Sequence, residues 1–271
     1  MRYLLIFFLF TITSNCSSSR GKVLTPKKYL NEVLEIVEKN SINKDSVDFK
    51  IIKSNALSKL SNVNTIEECY PIVNSILREL GDNHSFFMSK EQVNKWKSTS
   101  KETDKSNLIT FSGKLLKNNF GYIKMNGFSS GDSISIQKYA DSLQKKIKSI
   151  DNKNLKGWIL DLRENTGGNC WPMLTGIGPL LGNGICGYFV DKKGNKSSWF
   201  YKDGESGINE STITKVSNQP YELYDNTKPI AVLTGSKTGS SGEVVVTAFH
   251  NKENTKSFGT KTYGVSTGNQ N

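Results

Sequence analysis

Two short, almost entirely apolar segments constrain the fold of this chain more than any other feature of its sequence. They occupy residues 158–162 (WILDL) and 229–234 (PIAVLT). Strands that are apolar on both faces are typical of parallel sheets that helices cover on both sides. A strand-like segment at 121–125 and helical periods at 134–150 and 241–251 alternate with these two segments. The alternation predicts an α/β fold.

Helical periodicity dominates the N-terminal part of the chain. Apolar residues recur at helical spacing over residues 29–39 and again over 65–80, where a glycine provides a stop. We therefore predict a small helical subdomain at residues 28–95 and an α/β core at 108–271, with a polar loop between them. The Gly-, Asn- and Ser-rich stretch at 183–226 carries scattered strand signals and receives no firm assignment.

Composition excludes several classes of function. The 271 residues include 36 Lys and Arg against 25 Asp and Glu, a net charge of +11, and 35% of them are hydrophobic, which is enough for a folded core. Only four basic residues are arginine, the side chain best suited to bidentate contacts with bases and phosphates, and the lysines are scattered. We therefore expect no nucleic-acid partner and interpret the charge as a lysine-rich, soluble surface.

The N-terminus has the features of a targeting segment, which we exclude from the fold. An apolar run at residues 3–10 (YLLIFFLF), too short to span a bilayer, is followed by small polar residues and Cys16. This order resembles a bacterial lipoprotein signal, which implies a signal peptide at 1–15, lipidation of Cys16 and a tether at 16–27. We expect a lipid-anchored protein of the bacterial cell envelope, periplasmic or at the outer membrane. The alternative is an ordinary secretory signal and a secreted protein.

Three further cysteines follow the lipidation site, namely Cys69, Cys170 and Cys186. An odd number fixes no disulfide connectivity, so their pairing stays open. The sequence contains no C-x-x-C motif and no histidine-rich spacing that would indicate zinc. We therefore expect a protein that works without a metal ion and without a cofactor.

Polar segments that follow the two buried strands carry groups suited to acyl-transfer chemistry. Residues 161–168 (DLRENTGG) end in Gly167 and Gly168, whose N–H groups can approach a ligand as in an oxyanion hole; a tight turn is the alternative. Residues 238–243 (TGSSGE) place Ser240 at a strand-to-helix turn, where its hydroxyl is exposed and the helix N-terminus favours negative charge. The alternative there is a serine that only caps the helix.

The chain has two histidines, and their sequence contexts differ. His84 lies in a polar turn directly after a helix, where an imidazole can reach into a cleft and act as a base. His250 closes a predicted helix among polar residues, which indicates a solvated position. A lone loop histidine is usually a surface residue, but the accompanying serine and glycine turns make His84 the candidate base.

Four ordered segments resemble the C-terminal processing, or tail-specific, serine peptidases, including the branch related to the tricorn protease core. The family patterns L-x-D-x-H-[ST], D-L-R-x-N-x-G-G and T-x-S-x-x-E match residues 80–85, 161–168 and 238–243. A final pattern, G-E-x-T-x-G, corresponds to residues 259–264. The resemblance extends over about residues 65–271. It implies a crotonase-like (ClpP/crotonase-type) α/β core with an N-terminal helical subdomain.

The resemblance also implies a role for the candidate residues. Ser240 would attack the scissile carbonyl carbon of a peptide or protein substrate, and His84 would take its proton and return it to the leaving amine. The N–H groups of Ser241 and of Gly167 or Gly168 would hold the oxyanion. The predicted function is therefore that of a serine peptidase in an extracytoplasmic compartment.

The chain departs from the family pattern at several positions. About 25 residues separate Met88 from the next strand-like run, far too few for the PDZ domain that many members carry. Val265 stands where the lysine-dyad branch has its lysine, which disfavours a Ser–Lys dyad. Thr260 stands where the tricorn-like branch has a glutamate, and Lys261 is a weaker candidate base two positions from the match. The fourth segment lies near the end of the sequence, and we expect the core to be C-terminally truncated.

The role of Glu243 and the activity of the protein as a whole each have alternatives. Glu243, three residues beyond the nucleophile, would polarise or position the site, or would be only an acidic residue of the first helical turn. The protein as a whole is alternatively a catalytically inactive peptide-binding or scaffold protein on the same fold, which Thr260 and Val265 favour. A second alternative is an esterase that uses the same serine.

Overall fold

A computed structural model of the chain describes residues 24–81, 84–98, 110–191 and 193–265. The chain divides after Leu80 into two compact units. The helical subdomain predicted at residues 28–95 crosses this division, because the helix Lys90–Ser98 belongs to the second unit.

Several expectations concern residues outside the described ranges. The predicted signal peptide at 1–15, the lipidation site Cys16 and most of the predicted tether all lie outside them. In the part of the chain that the structure does describe, no helix has both the length and the apolar character needed to cross a membrane. Cys69, Cys170 and Cys186 are free thiols.

The first unit is helical. It contains α1 (Pro26–Asn40), α2 (Phe49–Ser58) and α3 (Tyr70–Glu79), with short 3-10 turns at Lys59–Asn62 and Glu67–Cys69. The Thr25 hydroxyl caps α1 and the Asp48 carboxylate caps α2 by accepting N–H groups of the first turn. Leu34 and Ile76 lie on the buried faces that the apolar periods of α1 and α3 predicted. The chain leaves α3 at Gly81, whose φ of 69° is one that glycine adopts without strain.

Within the described residues, the second unit contains the remaining elements, α4–α7 and β1–β9. In chain order they are α4 (Lys90–Ser98), β1 (Phe111–Leu115), β2 (Phe120–Met125), α5 (Ser133–Ile150), β3 (Gly157–Asp161), α6 (Cys170–Leu181), β4 (Gly184–Val190), β5 (Lys196–Lys202), β6 (Glu205–Ile208), β7 (Ser211–Lys215), β8 (Ile230–Thr234), α7 (Ser241–His250) and β9 (Thr255–Gly259). Five strands form one sheet in the order β1-β2-β3-β8-β9, parallel except for β1. The predicted α/β class is confirmed.

The core of the second unit explains the apolar runs of the sequence. Trp158 and Leu160 of β3 and Val232 of β8 are almost completely buried between the helices and the sheet. Gly176 lets α6 approach α5, since a Cβ at this position would lie 2.9 Å from atoms of Leu143. Because β3 and β8 are parallel neighbours, their carboxyl ends and the polar loops that follow them meet at one edge of the sheet.

The stretch at 183–226, left unassigned from the sequence, contains a second sheet. It is antiparallel, in the order β4-β5-β6-β7. Trp199 and Tyr201 of β5 are buried against the core, and a buried hydroxyl pair, Thr175 with Ser206 at 2.8 Å, joins α6 to β6. Bulges in two of the three strand pairs interrupt the alternation of side chains, which explains why period-two patterning was weak there.

Candidate active site

Ser240 occupies a strained turn between β8 and α7. Its φ of 50° and ψ of −123° place a non-glycine residue in a sparsely populated region. Such a conformation costs on the order of 1–3 kcal/mol and persists only where the surroundings hold it. Ser240 is also the N-cap residue of α7, so the capping interpretation holds for its position. The strained strand-to-helix turn additionally presents the side chain as a nucleophile requires.

His84 lies next to this serine although 156 residues separate the two in sequence. The distance between His84 Nε2 and Ser240 Oγ is 2.9 Å, and both residues are half-buried. A neutral imidazole at this distance can accept the hydroxyl proton. His250, in contrast, is exposed at the last residue of α7, as its sequence context indicated.

Glu243 binds the backbone on both sides of the serine turn. Its carboxylate is almost completely buried. Oε2 accepts the N–H of Ser240 at 3.1 Å, and Oε1 accepts the N–H of Gly264 at 2.8 Å. The carboxylate therefore joins the serine turn to the segment that follows β9, and it contacts the amide of Ser240 rather than the hydroxyl.

The glycine turn after β3 packs directly against Ser240. Gly167 and Gly168 have φ values of 102° and 117°, which favour glycine. A Cβ on Gly167 would lie 2.7 Å from the Cβ of Ser240. The Gly167 N–H donates to Asn165 Oδ1 at 3.0 Å, so this amide is already engaged. The Ser241 hydroxyl donates to the carbonyl oxygen of Gly168 at 2.5 Å and ties the glycine turn to α7.

Two buried polar residues that sequence reasoning did not single out hold these turns together. The carbonyl oxygen of Asn165 accepts the N–H of Gly239 at 3.0 Å. The Thr238 hydroxyl donates to the carbonyl oxygen of Leu162 at 2.8 Å and accepts the N–H of Gly235 at 3.0 Å. Both side chains are completely buried. Each occupies a fixed position of a matched family pattern, and that was the signal available in the sequence.

The fourth matched segment follows β9 and adjoins the serine turn. The Thr260 N–H donates to the carbonyl oxygen of Thr234 at 3.2 Å, and the Thr234 hydroxyl donates to the carbonyl oxygen of Thr260 at 2.9 Å. Val265 also lies close, because a Cβ on Gly239 would be 3.5 Å from Val265 Cγ2. An apolar side chain therefore borders the turn where the lysine-dyad branch has a lysine, while Lys261 is exposed.

Comparison with known families identifies this architecture. Residues 119–271 match the family described as peptidase family S41, and this region is more than half of the chain. The chain belongs to peptidase family S41. The matched region includes the glycine turn, the serine turn and the segment after β9, whereas His84 precedes it. The resemblance to C-terminal processing peptidases is thereby confirmed at the level of the family.

Similar proteins with known descriptions include two bacterial relatives. The nisin-resistance protein of Lactococcus lactis subsp. lactis is 29% identical over 250 residues, which cover 91% of this S41 chain and 72% of that protein. The carboxy-terminal processing protease CtpA of Bacillus subtilis (strain 168) is 28% identical over 158 residues, which cover 58% of this chain and 28% of CtpA. The S41 chain thus spans most of the first relative and a minor part of the second.

Solved structures show the same fold. A lipoprotein from Streptococcus agalactiae superposes with a TM-score of 0.70 at 28% identity, covering 98% of this S41 chain and 82% of the lipoprotein chain. The photosystem II D1 C-terminal processing protease superposes with a TM-score of 0.50 at 14% identity, covering 88% and 82% of the two chains. The second likeness shows a shared fold alone.

A charged cluster around the buried carboxylate of Asp161 supports the start of the glycine turn in this S41 chain. Asp161, at the end of β3, accepts hydrogen bonds from Tyr122 Oη at 2.6 Å and from Arg163 Nε and Nη2 at 2.9 and 2.7 Å. Burial by itself raises the pKa of Asp161, but these donors outweigh burial and lower its pKa to about 2. Burial and the neighbouring carboxylate raise the pKa of Tyr122 to about 12. Asp161 is therefore ionised and structural at neutral pH.

Cys170 carries a thiol close to the serine turn of this S41 chain. It begins α6, and its thiol contacts the Ser241 side chain. Burial raises the pKa of this thiol to about 12, which leaves it protonated at neutral pH. In the described part of the chain, no group of three His, Cys, Asp or Glu side chains is arranged to hold a metal ion.

Proposed function

We propose that this S41 chain is a serine peptidase in which Ser240 is the nucleophile and His84 is its general base. The observation that carries the proposal is the 2.9 Å distance between His84 Nε2 and Ser240 Oγ. The imidazole takes the hydroxyl proton as Oγ attacks the scissile carbonyl carbon, and it then donates this proton to the leaving amine. A water molecule, activated by the same imidazole, hydrolyses the acyl-enzyme.

The N–H groups of Gly168 and Ser241 hold the oxyanion in this mechanism. Ser241 is the first residue of α7, and the first N–H groups of a helix have no acceptor within the helix. The Gly167 N–H is engaged by Asn165 Oδ1, which favours Gly168 as the glycine donor. Loss of one oxyanion donor costs on the order of 3 kcal/mol of transition-state stabilisation.

Glu243 acts as a positioning residue in the proposed site. Because its two carboxylate oxygens bind the N–H groups of Ser240 and Gly264, it holds the strained serine turn against the segment after β9. The buried location of this acid supports a positioning role over that of an ordinary first-turn helix acid, which would lie in solvent.

The proposed compartment is the bacterial cell envelope, with an anchor at Cys16 and a peptide or protein as substrate. The likeness to a lipoprotein of Streptococcus agalactiae and the lipoprotein-like order of the N-terminal sequence support this location. The relative described as a nisin-resistance protein makes nisin a rational first peptide to test. Mass spectrometry of the mature protein tests the anchor. A lipidated Cys16 supports it, and an unmodified N-terminus at another residue rejects it.

A fluorophosphonate probe tests the catalytic proposal. We expect the wild-type protein to be labelled and Ser240→Ala to lose the label. Ser149→Ala, which removes an exposed serine of α5, is the matched control and retains it. An unlabelled wild-type protein rejects the nucleophile assignment and supports an inactive, peptide-binding member of the family, the candidate that Thr260 and Val265 favour. Labelling that survives in Ser240→Ala also contradicts the proposal.

Substrate comparison then separates a peptidase from an esterase. Nisin and peptides from the protein's own cell envelope are incubated with the wild-type and Ser240→Ala proteins, in parallel with a chromogenic ester. Ser240-dependent cleavage of a peptide bond supports the peptidase. Hydrolysis of the ester without any peptide cleavage would assign the serine to an esterase.

A further inference from the structure

We propose that Trp96 of α4 and Gly131 form a contact that positions His84 against Ser240. His84 lies on a segment without helix or strand that leads directly into α4. Its hydrogen bond to Ser240 joins two residues that are far apart in sequence. The placement of a base at this position matters, because a misplacement of about 1 Å can cost a factor of about 100 in rate.

The start of α4 is fixed by a reciprocal pair of hydrogen bonds. The Ser89 N–H donates to Gln92 Oε1 at 2.7 Å, and the Gln92 N–H donates to the Ser89 hydroxyl at 3.2 Å. This arrangement is a capping box, which determines where a helix begins and how the chain enters it. Ser89 is five residues beyond His84, so the orientation of α4 limits the positions that His84 can reach.

The Trp96 ring anchors the other end of α4 on the loop between β2 and α5. A Cβ on Gly131 would lie 2.5, 2.6 and 2.7 Å from ring atoms Cζ3, Cε3 and Cη2. The ring therefore lies against the backbone of Gly131 at a distance that only glycine allows. The Gly131 N–H also points to the carbonyl oxygen of Trp96 at 3.5 Å. Gly131 has an ordinary backbone conformation, so its lack of a side chain is explained by this contact.

The same loop holds the glycine turn of the site. The Phe128 N–H donates to the carbonyl oxygen of Gly167 at 3.1 Å, and the Asn169 N–H donates to the carbonyl oxygen of Phe128 at 2.6 Å. A Cβ on Gly127 would lie 2.6 Å from the carbonyl oxygen of Gly167. One loop therefore contacts the turn that packs on Ser240 and, through Trp96, the helix that follows His84. Trp96 and Gly131 are positioning residues and do not touch substrate.

Nitrogen-15 NMR of the imidazole side chains tests this contact in the full-length protein. The chain contains only two histidines, so ¹⁵N-histidine labelling gives one set of signals for His84 and one for His250. His84→Ala assigns the signals, and Ser240→Ala shows where the His84 signals lie when the hydrogen bond is lost. We expect Trp96→Ala to shift the His84 signals toward their positions in Ser240→Ala and to leave those of His250 unchanged. Trp96→Phe, which keeps a ring, should restore most of the wild-type position.

Gly131→Ala is the second variant and tests the contact from the other side. Its methyl group displaces the Trp96 ring, so it should shift the His84 signals in the wild-type background and have little further effect in Trp96→Ala. Circular dichroism and the His250 signals show whether Trp96→Ala is folded. If it is not, Gly131→Ala alone tests the contact. His84 signals that stay at their wild-type positions in a folded Trp96→Ala or Gly131→Ala protein overturn the proposal.

Kinetics test the catalytic role of the Trp96–Gly131 contact, and this role rests on the proposed function. Trp96→Ala should lower kcat by about tenfold or more with KM nearly unchanged, because base placement and not substrate binding is affected. The NMR result does not depend on turnover. If the wild-type protein hydrolyses nothing and the His84 signals still respond to Trp96→Ala, the proposed function fails while the positioning contact holds. A Trp96→Ala protein with wild-type kcat contradicts the positioning role.

Discussion

Ser240 and His84 meet at one hydrogen bond, but the protein holds the two residues in different ways. The serine turn lies between a buried parallel strand and a helix, and Glu243, Asn165 and the glycine turn bind it from several directions. His84 lies on an irregular segment that is continued by a single capped helix. Ser240 is thus held within the folded core, whereas His84 lies on a segment without helix or strand. Substitutions around the serine should affect stability and activity together, and substitutions around the histidine should affect mainly activity.

Removing either member of the pair gives the largest expected effect. Ser240→Ala and His84→Ala should each lower kcat/KM for a cleaved peptide by about 10⁴-fold or more, and the double variant should be little worse, since the two residues act as a unit. Both rates are measured by chromatography of the cleavage products. His250→Ala, in an exposed position, is the control and should retain wild-type activity. Hydrolysis that persists in His84→Ala but disappears in Lys261→Ala would assign the base role to the lysine.

A substitution in the glycine turn tests whether a change next to Ser240 lowers both stability and activity. Gly167→Ala places a methyl carbon 2.7 Å from Ser240 Cβ at a φ of 102°. Activity should fall by about 100-fold through displacement of the serine, and the free energy of unfolding should fall by about 1–3 kcal/mol through backbone strain. Urea titration and peptide hydrolysis measure the two effects.

Gly194→Ala is the matched control for this variant. Gly194 also has a positive φ, 82°, but a Cβ there would meet no atom within 4 Å. It should lose stability and keep activity. Equal loss of activity in both variants would show that strain alone, and not contact with Ser240, explains the result.

Acid should lower the free energy of unfolding through protonation of Asp161, which supports the glycine turn beside Ser240. The pKa of this buried carboxyl is lowered to about 2, below its usual value of about 3.9. Its contribution to stability is therefore complete above about pH 4 and is lost as the pH falls toward 2, an effect of roughly 2 kcal/mol. Urea titrations between pH 5 and pH 2 measure this loss. Asp161→Asn should be less stable than wild type at pH 5 and should show a smaller pH dependence; an unchanged slope in this variant would contradict the assignment.

Glu243→Gln should give the smallest effect. The glutamine keeps one oxygen to accept an N–H group, but its NH₂ group faces the second N–H and cannot accept it. We expect a loss of about 1–2 kcal/mol in stability and about a tenfold lower kcat with a similar KM, because the serine turn is less firmly held. Thermal unfolding and steady-state kinetics test this. A large rise in KM with unchanged kcat would indicate contact with substrate and not a positioning role.

The sequence by itself predicted the elements whose signals are local. The helices α1 and α3 were predicted from apolar residues at helical spacing, since a helix buried on one face repeats them at its own period. The strands β3 and β8 were predicted from short, nearly continuous apolar runs, since a strand buried on both faces carries apolar residues on each face. Ser240 and the glycine pair were singled out because turns after buried strands require particular residue types over a few positions. His84 was singled out as a histidine in a polar turn directly after a helix.

Other features were decided only by the tertiary structure. The antiparallel sheet β4–β7 was not predicted, because its bulged strands carry little alternation. The buried position of Asn165, the engagement of the Gly167 amide and the contact of Trp96 with Gly131 all depend on segments that are distant in sequence. The 2.9 Å distance between His84 and Ser240 is of the same kind. Short-range residue patterns determine what each turn can do, whereas the distance between two turns is set by how the helices and sheet pack.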